Sequence, residues 1–135
     1  MCVFEVMSLL YEDLSEKILG ACLEVHNQLG CGFLEAVYSD ALAHEFKLRE
    51  IPFQREKEYY ISYKGVRFNK FYRVYFLCFD KIILEIKATE HILPVHNKQV
   101  FNYLRLANLN LGFVINFGIV SLAWERIPNL YQCNP

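Results

Sequence analysis

The chain lacks any pair of cysteines at C-x-x-C spacing, any marked excess of one charge sign, and any apolar run long enough to span a bilayer. Each absence removes a class of protein. Its five cysteines (Cys2, Cys22, Cys31, Cys78, Cys133) are odd in number and scattered. They fit reduced thiols in a cytoplasm rather than a disulfide framework or a zinc site. A formal net charge of −1 gives no bulk reason to expect attraction to nucleic acid or to an anionic membrane. The apolar start, Met1 to Leu10, is short, has no basic n-region and contains Glu5. It therefore reads as neither a signal peptide nor a membrane span. Met1 and Met7 both stand as candidate starts of translation, between which the intact mass of the natural protein would decide. Repeats, low-complexity tracts and Gly/Ser/Pro linkers are missing too, so one domain over residues 1–135 is expected. Its core should run from about 13 to 128, with 1–12 as an N-terminal extension. A Gly-rich phosphate loop, H-E-x-x-H and G-x-S-x-G are all absent.

What is present is apolar bulk. Of 135 residues 54% are hydrophobic and 16% aromatic, enough for a real core and incompatible with disorder. Charge is unevenly spread. Residues 1–40 hold seven acids (Glu5, Glu12, Asp13, Glu16, Glu24, Glu35, Asp40) against Lys17 alone. Between Lys64 and Arg73 the sign reverses: Lys64, Arg67, Lys70 and Arg73 occur without an acid, interleaved with Phe68, Phe71 and Tyr72. Cations beside stacking surfaces suit a polyanion carrying bases. The plainer reading is a solvated strand face beside aromatic core residues.

Asp13-Leu-Ser-Glu16 reads as a capping box opening a helix. Ile18, Ala21, Cys22, Val25 and Leu29 continue at helical spacing until Gly30 stops it. A second helix is expected from Leu34 to Arg49, burying Leu34, Val37, Tyr38, Ala41, Leu42 and Leu48 and ending before Pro52. Strands follow over Gln54–Tyr63 and Val66–Phe79, separated by a Lys64-Gly65 turn, and then over Ile82–Ala88 after Asp80-Lys81. Pro94 opens a third helix running to Leu109. Strands at Leu111–Phe117 and Ser121–Ile127 complete the order α-α-β-β-β-α-β-β, a mixed sheet flanked by helices in α/β or α+β layering.

Chemistry concentrates in Ile82-Ile-Leu-Glu-Ile-Lys-Ala88. Alternation puts Ile83, Glu85 and Lys87 on one face of an otherwise apolar strand. Two such charges are costly in a core unless they pair with each other or hold an ion. A buried Glu85–Lys87 ion pair and an ion-binding site both satisfy that demand. Helical spacing adds two polar pairs, Glu35 with Tyr38 and Gln99 with Tyr103. His26, His44, His91 and His96 lack the clustering of a zinc site and read as surface or capping residues.

Taken together, these residues resemble the bacterial GxxExxY family. Gly32, Glu35 and Tyr38 match its motif, and Glu85-Ile86-Lys87 its E-x-K strand. Further matches are Glu24-Val25-His26 with Gly30, Tyr63-Lys64-Gly65, Tyr72-Arg73, Pro94-Val95-His96 and Ile115-Asn116-Phe117, over roughly residues 14–127. Gln99 and Tyr103 resemble the Q-x-x-x-Y motif of recombination-type nucleases. The resemblance implies the PD-(D/E)XK nuclease superfamily, with a restriction-endonuclease-like core and magnesium- or manganese-dependent cleavage of DNA or RNA in a bacterial cytoplasm. It implies Glu85 and Glu35 as metal ligands and catalytic carboxylates and Lys87 as the catalytic lysine. Gln99, Tyr103 and Tyr38 would position substrate, and Lys64, Arg67, Lys70 and Arg73 would bind nucleic acid.

The chain departs from that pattern at one position. The family strand carries Asp after Tyr-Arg-x; here Tyr72-Arg73-Val74 is followed by Tyr75. A phenol is neutral at pH 7 and a poor magnesium ligand. Asp80 lies roughly 16 Å further along an extended strand. With a Phe79-Asp80-Lys81 loop, Tyr75 falls opposite Glu85 and is expected to hydrogen-bond it. Three readings stay open: a metal-dependent nuclease, a metal-free nucleic-acid-binding relic of one, and an interaction protein that dimerises through Tyr and Phe, none of them needing a membrane.

Overall fold

A computed structural model describes residues 10–129. Cys2, Cys133 and the Met1–Met7 segment lie outside them. Ile18, Ala21, Cys22 and Val25 line the buried side of helix α1 (Glu12–Leu29), which ends where Gly30, at φ 70°, returns its N–H to the His26 carbonyl. The capping box is not used. The N-cap lies two residues earlier, at a left-handed Tyr11 whose carbonyl accepts from the Ser15 N–H at 2.8 Å. Tertiary contacts explain the shift: the Tyr11 ring packs on the core and Lys81 lies over it at 6.0 Å. Asp13 is left in the first turn, where the helix dipole favours an acid.

Helix α2 (Glu35–Leu48) buries Tyr38, Ser39, Leu42, Ala43 and Phe46, so the expected apolar face is rotated. Leu34 and Leu48 are 78% and 65% exposed and Val37 is exposed as well. The line Tyr38–Leu42–Phe46 prevails because it carries the two largest rings. Phe46 meets Phe76 edge-on at 5.3 Å, and Tyr38 stacks on Phe117 at 4.8 Å. Such pairs add to the area they bury.

Five strands follow: β1 (Phe53–Tyr63), β2 (Val66–Cys78), β3 (Ile82–Lys87), β4 (Leu111–Asn116) and β5 (Ala123–Pro128), with helix α3 (Pro94–Ala107) between β3 and β4. They form one sheet in chain order, parallel between β3 and β4 and antiparallel elsewhere. Among the described residues the expected element order is therefore found, as an α+β layering of three helices on a mixed sheet. Both sheet faces are covered, as a parallel pair requires. On the α1/α2 side lie Phe76, Leu84, Ile86, Phe113 and Ile115; on the α3 side lie Val74, Ile83, Val114, Val100 and Leu104. Among the described residues no helix is long and apolar enough to cross a membrane.

The sheet is irregular where β2 meets β3. The two strands pair only at Phe76–Leu84, Leu77–Ile83 and Cys78–Ile82. Residues Val66 to Tyr75 run past β3 as half of a two-stranded arm on the order of 30 Å long. Alternation also breaks there. Tyr75 and Phe76 both pack on the α1/α2 side, whereas Val74 and Leu77 both pack on the α3 side. Across the strand, Glu56 has φ 54°, and Glu56 and Tyr75 are left unpaired between Arg55–Phe76 and Lys57–Val74, which keep one register.

His26 is a second correction. Instead of a surface residue it is 6% exposed, with Nε2 2.9 Å from the Ile119 carbonyl, tying α1 to the β4–β5 connection. The segment after Lys87 is similarly pinned. Phe117 N–H donates to the Lys87 carbonyl at 2.8 Å, while fully buried Asn116 accepts from the N–H of Thr89 and of Gly118 and donates to the Thr89 carbonyl. A Cβ on Gly118 would overlap backbone atoms of Ala88 and Thr89, which cannot rotate away as a side chain can. Gly118→Ala is expected to cost about 2 kcal/mol or more in urea unfolding; an unchanged midpoint would show that the two backbones separate freely.

Candidate active site

Glu35 is the first residue of α2, and its place is set from below. Buried Tyr38, one turn on, donates its hydroxyl to the Gly30 carbonyl at 2.6 Å and accepts from the Phe33 N–H at 3.2 Å. With no exposed surface, Tyr38 presents no atom to a substrate. Its role is to hold the loop that delivers Glu35, which corrects the substrate-positioning expectation.

Glu85 sits in the middle of β3, between a strand that has turned away and the parallel β4. It is 4% exposed. Burial pushes its carboxyl up to about 7, Lys87 pulling the other way and Glu35 adding to the rise. Glu85 and Lys87 do not form a close ion pair, whereas Arg49–Glu45, Arg55–Asp40 and Arg73–Glu58 do. The two charges thus share a face without neutralising each other at contact.

Tyr75 does not bond Glu85. The broken alternation turns its ring to the α1/α2 side, and its O–H donates to Glu35 Oε2 at 2.7 Å. Burial, that hydrogen bond and the charges of Glu35, Glu85 and Glu56 all push its pKa up, so the phenol stays protonated. It stands where the resemblance calls for an ionised ligand.

Lys87, Gln99 and Tyr103 meet on a recess of about 410 Å³ between α3 and the arm, together with Tyr72, Lys98 and Asn102. Glu35 and Tyr75 border a separate hollow with Ala88, the residue after Lys87. The charge of Glu35 acts on Glu85 and on His96, so the two hollows belong to one electrostatic neighbourhood. His96 caps α3 as expected, its Nδ1 accepting the Leu93 N–H at 3.0 Å; desolvation and Lys87 hold its pKa down.

Lys64, Arg67 and Lys70 lie apart from these carboxylates, on the arm. Phe68, Phe71 and Tyr72 there are about two-fifths exposed, so they are not core residues. Arg67 lies over Tyr60 at 3.7 Å, Tyr60 meets Phe71 at 5.2 Å, and Arg73 lies over Phe71 at 5.4 Å. This makes a ladder of guanidinium, ring, ring and guanidinium along one face. Arg73 also reaches Glu58 at 3.8 Å.

Sequence reading missed Tyr72, Lys98 and Asn102 as partners of Lys87. Gln99, Asn102 and Tyr103 do recur at helical spacing, which was a usable signal. The apposition of Tyr72 and Tyr103 rings at 5.2 Å is tertiary and leaves no local trace. As to a cation, among the described residues no group of three or more His, Cys, Asp or Glu gathers.

The sequence model of a family described as the PD-(D/E)XK nuclease superfamily matches residues 12–127. No curated protein matches the chain. Among solved structures, the crystal structure of SSO0001 resembles it with a TM-score of 0.57 and 19% identity, over 87% of this chain and 59% of that one. At that identity the likeness speaks for the fold alone, and the chain spans only part of that protein's length.

The state of Glu85 has a measurable consequence. Its folded pKa is raised from an ordinary 4.5 to about 7, so its contribution favours folding below the unfolded value and is lost as pH rises through about 7. The full change is on the order of 3 kcal/mol. Glu85→Gln should therefore gain roughly 2–3 kcal/mol over the natural protein at pH 8 and almost nothing at pH 4, read by urea denaturation. Parallel stability curves for the two proteins would refute this assignment.

Proposed function

The chain belongs to the PD-(D/E)XK nuclease superfamily, and from that membership we propose a nuclease-fold protein that binds nucleic acid while its magnesium-dependent phosphodiesterase centre is impaired by Tyr75. The motif Gly32, Glu35, Tyr38 supports the bacterial GxxExxY branch of the superfamily, and the scattered thiols support a reducing cytoplasm.

The observation that carries the reading is the 2.7 Å hydrogen bond from Tyr75 to Glu35. Magnesium and manganese want hard oxygen ligands, chiefly carboxylates and water. Such an ion would polarise the scissile phosphate and acidify a bound water. The residues present do not make a complete site for it. A neutral phenol occupies one ligand position, and its proton occupies an oxygen of the next ligand. Glu85, favouring its protonated form near neutrality, is a reluctant third. This donor set supports no cleavage step through a metal.

What the remaining groups support is binding. Lys87 lies at the recess edge with Gln99 and Tyr103 beside it, a cation with hydrogen-bonding groups suited to a phosphodiester. The arm offers Lys64, Arg67, Lys70 and Arg73 among exposed rings, a surface of the kind that tracks a nucleic-acid backbone. A second reading, a working metal nuclease, draws on the survival of Glu35, Glu85 and Lys87 together.

The test uses four proteins: the natural chain, Lys87→Ala, Tyr75→Asp, and Tyr75→Asp with Lys87→Ala. A third carboxylate beside Glu35 and Glu85 should lower the melting temperature of Tyr75→Asp in chelator and make it rise on adding magnesium or manganese. The natural chain should shift little. Metal-dependent cleavage of single- and double-stranded DNA and RNA should appear in Tyr75→Asp and vanish in the double variant. Robust cleavage by the natural chain, abolished by Lys87→Ala, would overturn impairment in favour of the working enzyme. Absence of salt-dependent nucleic-acid binding by the natural chain would overturn both.

A further inference from the structure

We propose that the cleft between the β1–β2 arm and α3 is a two-nucleotide track for unpaired nucleic acid, leading to Lys87, with a base stacked on Tyr72. This rests on the proposed nucleic-acid binding and deepens it by naming the form of the substrate.

Two recesses lie in line along α3. The first, about 410 Å³, is bounded by Lys87, Gln99 and Tyr103; the second, about 370 Å³, by Ile61 and Leu106. Tyr72 and Asn102 line both and form the step between them. Each volume falls in the range of about 300–1,000 Å³ occupied by small-molecule sites, so each admits one nucleotide.

The lining matches the parts of a nucleotide. Tyr72 is 42% exposed and braced from behind by buried Tyr103, the rings 5.2 Å apart. It offers a fixed aromatic face, and base–aromatic stacking is tolerant of sequence. Gln99 and Asn102 each present a donor and an acceptor, able to meet any base edge. Lys87 and Lys98 supply cations for phosphate at the Glu85 end. A base within a duplex could reach Tyr72 only by leaving its stack. A ring set at the step between two recesses therefore favours single strands, whereas the exposed cations of the arm serve duplex and single strand alike.

Fluorescence anisotropy at low salt would test this with labelled oligothymidylate and oligouridylate and a labelled DNA duplex. The natural chain should bind a single-stranded probe more tightly than the duplex. Tyr72→Leu, which keeps apolar contact with Tyr103, should weaken single-strand binding by about 5- to 100-fold, the range for losing one stacked base, and leave duplex affinity unchanged. Tyr72→Phe should behave as the natural chain. Asn102→Asp, at an exposed position with no packing to lose, should weaken single-strand binding several-fold. Unchanged single-strand affinity in Tyr72→Leu, or equal losses on duplex, overturns the track. Binding of duplex alone by the natural chain overturns the track and leaves the nucleic-acid reading standing. Binding of no probe overturns that reading, and the track with it.

Discussion

A carboxylate in the middle of a central strand is the constraint on which the rest depends. Glu85 lies between neighbours that belong in a core, Leu84 and Ile86, and water hardly reaches it. An ionised group so placed must be neutralised, hydrated or protonated. Lys87 on the same face relieves part of the cost through space, and the rise in the Glu85 pKa measures what is left over. The strand is central because β4 pairs with it in parallel on one side. It is open because β2 leaves it after three residue pairs on the other. Continuous pairing of β2 with β3 would close the hollow. No pairing at all would leave β3 an edge, and Glu85 in water with nothing unusual about it.

The departure of β2 and the fate of Tyr75 are one event. The broken alternation that leaves Val74 and Leu77 on the same side turns Tyr75 toward α2, where Glu35 accepts its hydrogen bond. A cation and a phenol proton are alternative answers to the same electrostatic demand, since either lets a carboxylate sit near a second one. The phenol answers it permanently and from within the chain. It does so without the coordination a divalent ion would supply, because a protonated phenol presents one donor and no negative charge.

The elements were legible wherever the signal is local. Ile18, Ala21, Cys22 and Val25 report a helix by spacing alone, Gly30 ends it through its backbone freedom, and Glu85 with Lys87 declare a shared face by period two. What escaped depends on contacts distant in sequence. Which side of α2 is buried was decided by the size of Phe46 and Tyr38 against partners on β2 and beyond β4, not by the count of apolar residues. His26 looked like a surface histidine because its acceptor, the Ile119 carbonyl, is 93 residues away. Tyr75 was placed opposite Glu85 by counting back from the turn. That count holds for Phe76, Leu77 and Cys78 and fails at the next residue, because a break in alternation carries no mark in a run as β-prone as Val66 to Phe79. The arm's aromatics could be read as core or as surface until its length past β3 was known.

The exchange of carboxylate for phenol bears differently on catalysis and on binding. Three carboxylates around an empty metal position would repel a phosphodiester at the short distances of a desolvated hollow. With Tyr75 in place, one of those charges is gone and Glu35 is partly quenched by a hydrogen bond. Glu85, titrating near neutrality, spends part of its time uncharged. Lys87 then faces a weaker negative field, and its attraction for phosphate is less opposed. On the proposed reading, the same change that strips the centre of a ligand for magnesium would also lower its dependence on magnesium for holding nucleic acid. The cations of the arm, remote from Glu35 and Glu85, are unaffected by either outcome.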